Sequence, residues 1–316
     1  MNTLKSFISD EAKQPWFPPV DKIARPVFTH GPVYKALRKA FDLALNIRQH
    51  FTLSRLLDEA GLLNAQHFYA GIRYRYLRAY YLGAGFSIPD RLRVAINHHQ
   101  SIARHCKPDF QRRAHASGHV LWSKQHEDLN LAISLRYPYW YNHDGDLSLS
   151  LDVNGKNICI TTFSIAPGAV VDAPDARVLL ISSIQGVAGQ IDLIRRTTEI
   201  CNNVSPAHML LFAAETLSSA LGIKAIVGIG KSRMPDAQAD SRKRLAFDYD
   251  AFWMPVVGAD EQREFYRMAL PFTDKPIEAI PAKHRSRARK RRELRNLIRQ
   301  DIDIHAQAAL AHSCLR

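Results

Sequence analysis

Cysteine is scarce in this sequence, with four residues among 316 and no Cys-x-x-Cys pair. Cys106, Cys159, Cys201 and Cys314 stand far apart along the chain. Such usage is typical of reduced, buried thiols and excludes a disulfide framework. We therefore expect the protein to occupy a reducing compartment.

Long apolar runs are also missing. No window approaches 18 uninterrupted apolar residues, so no membrane-spanning helix is predicted. The first ten residues are followed by Glu11 and Lys13, and they lack the apolar run and the small-residue cleavage site of a signal peptide. These absences predict a cytoplasmic protein, and they leave open a peripheral position at the inner membrane.

Two signatures of catalytic sites are absent as well. His115 and His119 are four residues apart, as metal-binding pairs on one helix face are. However, no glutamate lies between them as in a zinc protease, and no nearby cysteine supplies a third ligand. We therefore predict no metal site. A full phosphate-loop pattern is missing too.

Positive charge is abundant and unevenly distributed. The formal net charge is +13, and residues 283–299 alone hold nine Lys or Arg against a single acid, Glu293. A field concentrated in this way favours phosphate-bearing partners, either anionic lipid headgroups or nucleic acid. No aromatic residue interrupts the run, which disfavours the reading of bases. A solvated helix face without a partner is the alternative interpretation. The residues that we predict to bind anions are Arg285, Arg287, Arg289, Lys290, Arg291 and Arg292.

Composition and local patterning predict the organisation of the chain. With 46% hydrophobic residues, the sequence is long enough to bury a substantial core. Four regions follow from the patterns: an extended, proline-rich N-terminal arm at 1–31, a helical region at 32–125, an α+β core at 126–282 and a basic C-terminal helix at 283–316.

The helical region contains an unusual aromatic segment. Residues 68–82 interleave five tyrosines with Arg73, Arg75 and Arg78. A helix of this composition could bind nucleobases or lie among lipid headgroups. The alternative is that the tyrosines pack inward while the arginines stay in solvent.

The core begins with a strand pattern. Apolar and polar residues alternate in 129–136 and again in 147–153. Asn154-Gly155 is the strongest hairpin signal in the chain, because both residue types tolerate positive φ. Residues 178–184 have the composition of a strand buried on both faces. Together these segments predict a mostly antiparallel sheet.

A glycine-containing turn follows the buried strand. Gln185, Gly186 and Gly189 separate it from a helical run at 191–201, and backbone N–H groups in such a turn can hold an anion. We therefore predict that these three residues bind a cofactor. The alternative is that the glycines only permit a tight turn. A second helix from Pro206 and a strand at 225–229 come next, which completes an α+β order.

The arrangement of residues 129–230 resembles the core of the GCN5-related N-acetyltransferases. Those enzymes hold the pyrophosphate of coenzyme A at a strand-to-helix turn with a Gln/Arg-x-x-Gly-x-Gly/Ala motif. Gln185, Gly186 and Gly189 match that motif loosely, and the extra helix before Pro206 departs from the pattern. The resemblance implies an acyl-CoA or acyl-carrier thioester as the ligand of the turn, and it names no general base.

Residues 247–253 pack four aromatic residues and two acids into a short segment. Asp248 and Asp250 could act as a base or hold a cation. As a structural feature, the aromatic residues would cap the sheet and the acids would offset nearby arginines.

Nearly the whole chain, from about residue 30 to 300, resembles the VirK/YbjX family (DUF535) of Gram-negative bacteria. The residues that carry the likeness are Tyr76-Leu77, His98-His99, Ser182 to Gly186, Arg195, Thr198, the Pro206 helix leading to Gly228-Ile229, residues 247–253 and residues 284–292. The resemblance implies a role in virulence, in the cell envelope and in resistance to cationic antimicrobial peptides, without catalytic residues.

Three hypotheses for the function stand at this point. In the first, the protein is an accessory factor of the VirK/YbjX type that binds phosphate-rich partners through its basic helix. In the second it is an acyltransferase, and in the third a nonspecific nucleic-acid-binding protein.

Overall fold

A computed structural model of the chain describes residues 32–63, 71–107, 109–138, 144–234, 247–259 and 261–309. The predicted arm at 1–31 and Cys314 lie outside these ranges. The chain divides into two compact units, Met1–Phe41 and Asp42–Arg316. The division into four regions that we predict from the sequence stays a prediction.

The described helices agree well with the helical periodicity of the sequence. Ser87 and Ser205 cap α3 and α6 through their hydroxyls, each followed by a proline in the first turn, as the sequence predicts for Ser205. The helices are α1 (Pro32–Leu45), α2 (Ile47–Glu59), α3 (Ile88–His105), α4 (Asp109–Ala116), α5 (Ile191–Ile200), α6 (Pro206–Ala220), α7 (Tyr249–Val257) and α8 (Ala282–Ala309).

The described strands form one sheet in which each strand lies beside its neighbours in the sequence. All neighbouring pairs are antiparallel except β5 and β6, which are parallel. The strands are β1 (His119–His126), β2 (Leu129–Arg136), β3 (Leu147–Val153), β4 (Lys156–Pro167), β5 (Arg177–Gly186), β6 (Ala225–Ile229) and β7 (Phe265–Ala269). The predicted α+β class, with N-terminal helices and a mostly antiparallel sheet, is confirmed.

The predicted hairpin and buried strand are both present. Asn154 and Gly155 have φ values of 50° and 76° between β3 and β4, as a two-residue hairpin turn requires. Every residue of β5 from Val178 to Ile184 is buried, and the strand continues through Gln185 and Gly186. The predicted ligand-binding residues Gln185 and Gly186 therefore lie at the end of β5.

The helices α5 and α6 connect the parallel strands β5 and β6, which pair over only three residues, Leu179 to Ile181 with Ile226 to Gly228. Beyond Ile181, the hydroxyl of Tyr249 at the start of α7 lies 3.1 Å from both the nitrogen and the carbonyl oxygen of Ile184. The Tyr249 side chain thus hydrogen-bonds the backbone groups of Ile184, with which a longer β6 would otherwise pair. Sequence periodicity does not predict α7 or β7.

The helix α7 packs against β6 through the fully buried Trp253. The indole nitrogen of Trp253 donates to the carbonyl oxygen of Ile229 at 3.1 Å. A Cβ atom on Gly228 would lie 2.3 Å from the Trp253 ring, so the ring occupies space that only glycine leaves free. The aromatic segment at 247–253 is therefore part of the core.

We expect Gly228→Ala to lower the free energy of unfolding by about 1–3 kcal/mol, since overpacking a rigid ring against a central strand forces a shift of one or the other. Urea unfolding followed by circular dichroism measures the change. Gly71→Ala is the matched control, because its Cβ would meet only the Arg78 guanidinium at 3.4 Å. Equal stability of the two variants would contradict this account of the packing.

Candidate functional site

The C-terminal helix α8 is anchored by one half and exposed along the other. Its buried side chains recur every four residues, at Leu294, Ile298, Ile302 and Ala306. This spacing places all four on one face, which packs mainly on α6 and β1. Residues 282–293 precede this row, and each of them is exposed or half-buried. The basic run therefore projects from the core on a helix that is fixed at its other end.

Ion pairs hold α8 to α6 and to the connector after β7. The fully buried Glu215 of α6 accepts a hydrogen bond from Arg299 at 3.2 Å and another from the backbone nitrogen of Phe272 at 2.8 Å. Burial raises the pKa of Glu215. Asp274 pairs with Arg295 at 2.6 Å and with Arg292 at 3.4 Å. These contacts fix the direction in which the basic face of α8 points.

The six arginine and lysine residues predicted to bind anions divide into two groups. Arg285, Arg291 and Arg292 donate hydrogen bonds to backbone carbonyl oxygens: Arg285 to Glu278 and Ile280, Arg291 to Asn202 and Asn203, and Arg292 to Lys275. This first group attaches the helix to neighbouring loops.

The second group comprises Arg287, Arg289 and Lys290. All three are exposed, and none makes a hydrogen bond or an ion pair with another described residue. Of the six predicted residues, these three remain available for a partner.

A groove of about 470 Å³ opens along the same part of α8. Its floor includes the half-buried Phe212 and Ile280, and five Lys or Arg side chains line it against one carboxylate, Asp274. We call it the basic groove. Its lining residues are Phe212, Asp274, Lys275, Ile280, His284, Arg287, Ala288, Arg291, Arg292 and Arg295.

The anion-binding residues predicted from the sequence do not include Arg295, nor the groove residues that other elements supply. Helical spacing offers a signal for Arg295, because Arg287, Arg291 and Arg295 are four residues apart and share one face. Phe212 and Asp274 come from α6 and from the connector, and no local pattern links them to α8.

The glycine turn lies at the end of β5, as predicted. Gln185, Gly186 and Gly189 are exposed, and a Cβ atom on Gly189 would meet no other atom within 4 Å. However, the backbone nitrogen of Val187 donates to Ile158 at 3.0 Å, and that of Gln190 donates to Val187 at 3.2 Å. Two amides of the turn are therefore committed to the protein itself.

A buried polar cluster joins the helices to the sheet. The Asp146 carboxylate accepts hydrogen bonds from the hydroxyls of Tyr81 and Ser164, both at 2.7 Å, and Arg75 lies 3.7 Å from it. The Arg75 side chain is only 6% exposed, so the interpretation of all three arginines in this segment as solvated is wrong for Arg75. Arg75 belongs to a short 3₁₀ helix, Ile72–Leu77.

Burial and charge act in opposite directions on Asp146. Burial raises the pKa of Asp146, but His98, His99, Arg75 and the Ser164 hydroxyl outweigh it, so the net shift is downward. The buried side chains satisfy one another, and we interpret the cluster as a structural tie between layers.

Asp248 and Asp250, the candidates for a base or a cation ligand, form hydrogen bonds within the fold. Asp248 caps α7 by accepting from the nitrogen of Ala251, and Asp250 accepts from the nitrogen of Lys231 and from the hydroxyl of Tyr266. Both acids thus bind neighbouring groups of the fold. The arginines that directly precede the segment, Arg242 and Arg244, lie outside the described residues, so the expectation that the acids offset local arginines stays a prediction.

The predicted histidine pair is separated in the structure, and the described cysteines are buried. His119 starts β1 whereas α4 ends at Ala116, so His115 and His119 do not share a helix. Cys106, Cys159 and Cys201 are buried. Burial raises the pKa of Cys159 to about 12 and that of Cys201 to about 11.

Fold and groove together define a class of protein: an α+β protein with one mixed sheet and an exposed cationic face on its C-terminal helix. Residues 38–303 match the family described as "Protein of unknown function (DUF535)", and the chain belongs to that family. The resemblance to the VirK/YbjX family is thereby confirmed. Among the described helices, none is both long and apolar enough to cross a bilayer.

Three curated relatives share parts of the chain. The "Uncharacterized protein YbjX" of Escherichia coli K12 is 23% identical over 70% of this chain and 68% of its own length. Two uncharacterized proteins of Haemophilus influenzae are 25% and 28% identical, and the alignments span 60% and 38% of their lengths and 58% and 36% of this chain. No solved structure matches, so the likeness to the acetyltransferases is not confirmed.

The buried His98 provides a test of the polar cluster. Burial lowers the pKa of His98 to about 3, and its Nδ1 accepts the backbone N–H of Ile165 at 3.2 Å. In the unfolded chain, a histidine takes up a proton below about pH 6.5. The contribution of the neutral His98 to stability is therefore complete above pH 6.5, and it is lost as the pH falls from 6.5 toward 3.

We expect His98→Asn to reduce this pH dependence, because the amide oxygen can accept from Ile165 but does not titrate. Between pH 6.5 and 5 the wild type should lose about 2 kcal/mol more than the variant, at ~1.4 kcal/mol per pH unit. Urea unfolding at the two pH values measures the difference. Identical losses in both proteins would show that His98 is not held neutral by the fold.

Proposed function

We propose that this protein acts by binding an anionic lipid surface through the exposed cations of α8 and the adjoining basic groove. The observation that carries the proposal is the group of three exposed side chains, Arg287, Arg289 and Lys290, which lack partners among the described residues. Basic residues near an anionic membrane surface each contribute about 1 kcal/mol of binding free energy.

Apolar side chains beside the cations favour lipid over nucleic acid. Leu297 is 47% exposed and lies along a second groove of α8, which Ile277, Arg289, Arg292 and one carboxylate, Glu293, also line. A helix that presents both apolar and basic side chains suits the boundary between headgroups and acyl chains. The run has no aromatic residue on which an unpaired base could stack.

In the setting of the family, this binding would place the protein among envelope-related accessory factors. The VirK/YbjX resemblance associates such proteins with virulence and with resistance to cationic antimicrobial peptides. A peripheral protein that competes for anionic headgroups, or senses them, is chemically suited to that setting. The cell-envelope role and the position at the inner membrane both belong to the proposal.

Neutralising the exposed cations should weaken lipid binding. We expect the triple variant Arg287→Gln, Arg289→Gln and Lys290→Gln to bind phosphatidylglycerol vesicles about 100-fold more weakly than wild type, since three contributions of ~1 kcal/mol are lost. Glutamine preserves helix propensity. Cosedimentation at low salt and at 0.15 M salt measures the change, and wild-type binding should also fall with salt.

A matched triple variant controls for net charge. Arg104, Lys156 and Lys224 are exposed cations on other elements, and changing them to glutamine removes the same charge. We expect this control to bind vesicles as the wild type does. Equal losses in the two variants would overturn the proposal, and so would binding of the wild type to single-stranded RNA without binding to vesicles.

An acyl-thioester site at the glycine turn is the second candidate function. The open space over Gly189, where φ is +78°, is the observation that favours it. On this hypothesis the remaining amides of the turn would hold the pyrophosphate of an acyl-CoA next to Gln185 and Gly186. The commitment of Val187 and Gln190 to backbone hydrogen bonds reduces the number of donors.

For this second candidate, acetyl-CoA should raise the melting temperature, and Gly186→Glu should abolish the rise. At 100 times Kd, a ligand that binds only the native state adds ~2.7 kcal/mol of stability. Thermal denaturation with a panel of acyl-CoA compounds measures the effect, and Ala103→Glu at an exposed position of α3 is the control, because it adds the same single negative charge. The absence of any shift across the panel would reject the hypothesis.

A further inference from the structure

A cavity of about 550 Å³, separate from both grooves described above, lies between the sheet and the C-terminal end of α8. Four neighbouring strands supply its floor through one buried side chain each. These residues are Leu121, Leu135, Leu147 and Phe163. Leu217 of α6 and Leu221, which directly follows that helix, form one wall, and Ile102 and Phe110 form another. We call it the apolar cavity.

The sequence of α8 explains why this space is open. Leu294, Ile298 and Ile302 fill the core along the buried row of the helix, but the next position in the row is Ala306. Alanine replaces a branched side chain where the helix passes over the strands, and Ala308 also faces the cavity. Protein interiors are normally close-packed, so a cavity of this size is unusual. Its volume falls within the range of small-molecule pockets.

Basic side chains line the cavity beside the apolar walls. They are Lys107, Arg113, His119 and His305, and none of the described lining residues is acidic. Arg113 and His305 are exposed, whereas the apolar walls are buried, so these basic side chains lie toward solvent. The His119 ring stacks on Phe110 with ring centroids 4.9 Å apart, so a polar ring and apolar surface meet at this wall.

A contact across the cavity holds the end of α8. The Lys107 ammonium donates to the carbonyl oxygen of Ala308 at 2.7 Å. Within α8 itself, the Nδ1 of His305 lies 2.7 Å from the carbonyl oxygen of Asp301. The lining residues come from α3, α4, α6, α8 and four strands, so the cavity is part of the folded core.

We propose that the apolar cavity binds a single-chain anionic amphiphile, a long-chain carboxylate, with its alkyl chain among the buried leucines and its carboxylate at the basic rim. The apolar walls match the chain, and the cationic side chains of Lys107 and Arg113 match the head. This inference does not depend on lipid-surface binding by Arg287, Arg289 and Lys290, because the two sites have no described lining residue in common.

A chain-length series tests the proposal on the delipidated full chain. Saturated carboxylates of 8 to 16 carbons displace a fluorescent fatty-acid probe, each below its micellar concentration. We expect the affinity to rise about fourfold per methylene, since burying one CH₂ is worth ~0.8 kcal/mol, until the cavity is full. Affinity that does not depend on chain length, or no saturable displacement, would overturn the proposal.

Filling the cavity should abolish binding. Ala306→Phe places a ring in the cavity and should weaken palmitate binding at least 10-fold, whereas Gln307→Phe, at the exposed next position, should not. Because Ala306 is buried and its variant could fail to fold, Ala308→Phe at an exposed lining position serves as the second variant. Unchanged palmitate affinity in both lining variants would refute the site.

The head group is tested with a matched pair of arginines. Arg113 lines the cavity and Arg112 does not. Arg113→Gln should weaken palmitate binding several-fold and leave hexadecanol binding unchanged, and Arg112→Gln should leave both unchanged. If hexadecanol binds the wild type as tightly as palmitate does, no anion is recognised and the proposed ligand class is wrong.

Discussion

The buried carboxylate of Asp146 is the constraint on which the arrangement of the layers depends. It sits at the start of β3, and it receives Tyr81 from the helical region and Ser164 from β4, with the guanidinium of Arg75 close by. A charge this deep in the protein is tolerated only when several partners surround it. Its partners come from distant parts of the sequence, so the cluster specifies how the helices meet the sheet.

The helix α8 joins the core to the two candidate binding sites, the basic groove and the apolar cavity. Its buried row, ending at Ala306, determines both the attachment of the helix and the space beneath its last turns. Its first turns carry cations, some bound to loop carbonyl oxygens and others exposed to solvent. One element thus presents positive charge at one end and an apolar cavity at the other. Both features suit anionic, lipid-like ligands, and Glu215 and Asp274 fix the helix between them.

Sequence reasoning was most accurate where local chemistry is decisive. Asn154-Gly155 adopts the positive φ values that its residue types favour, and Ser205-Pro206 begins α6. It failed where tertiary contacts override local pattern. The segment containing Arg75 is a short 3₁₀ helix with a buried arginine, because Asp146 supplies a partner 71 positions away. The strand β7 and the helix α7 lack a clear period, because β7 depends on pairing with β6 and α7 on the packing of Trp253 against that strand.

The sequence by itself determined the α+β class, the order of most strands, the family and the concentration of cations near the C-terminus. These follow from periodicity, turn chemistry and charge counts, which act between residues close in the chain. Only the tertiary structure decided which of those cations remain exposed, that Phe212 and Asp274 join them in a groove, and that Ala306 leaves a cavity over the sheet. Such properties depend on contacts between residues that are far apart in the sequence. The burial of each residue is then set by the residues that pack against it.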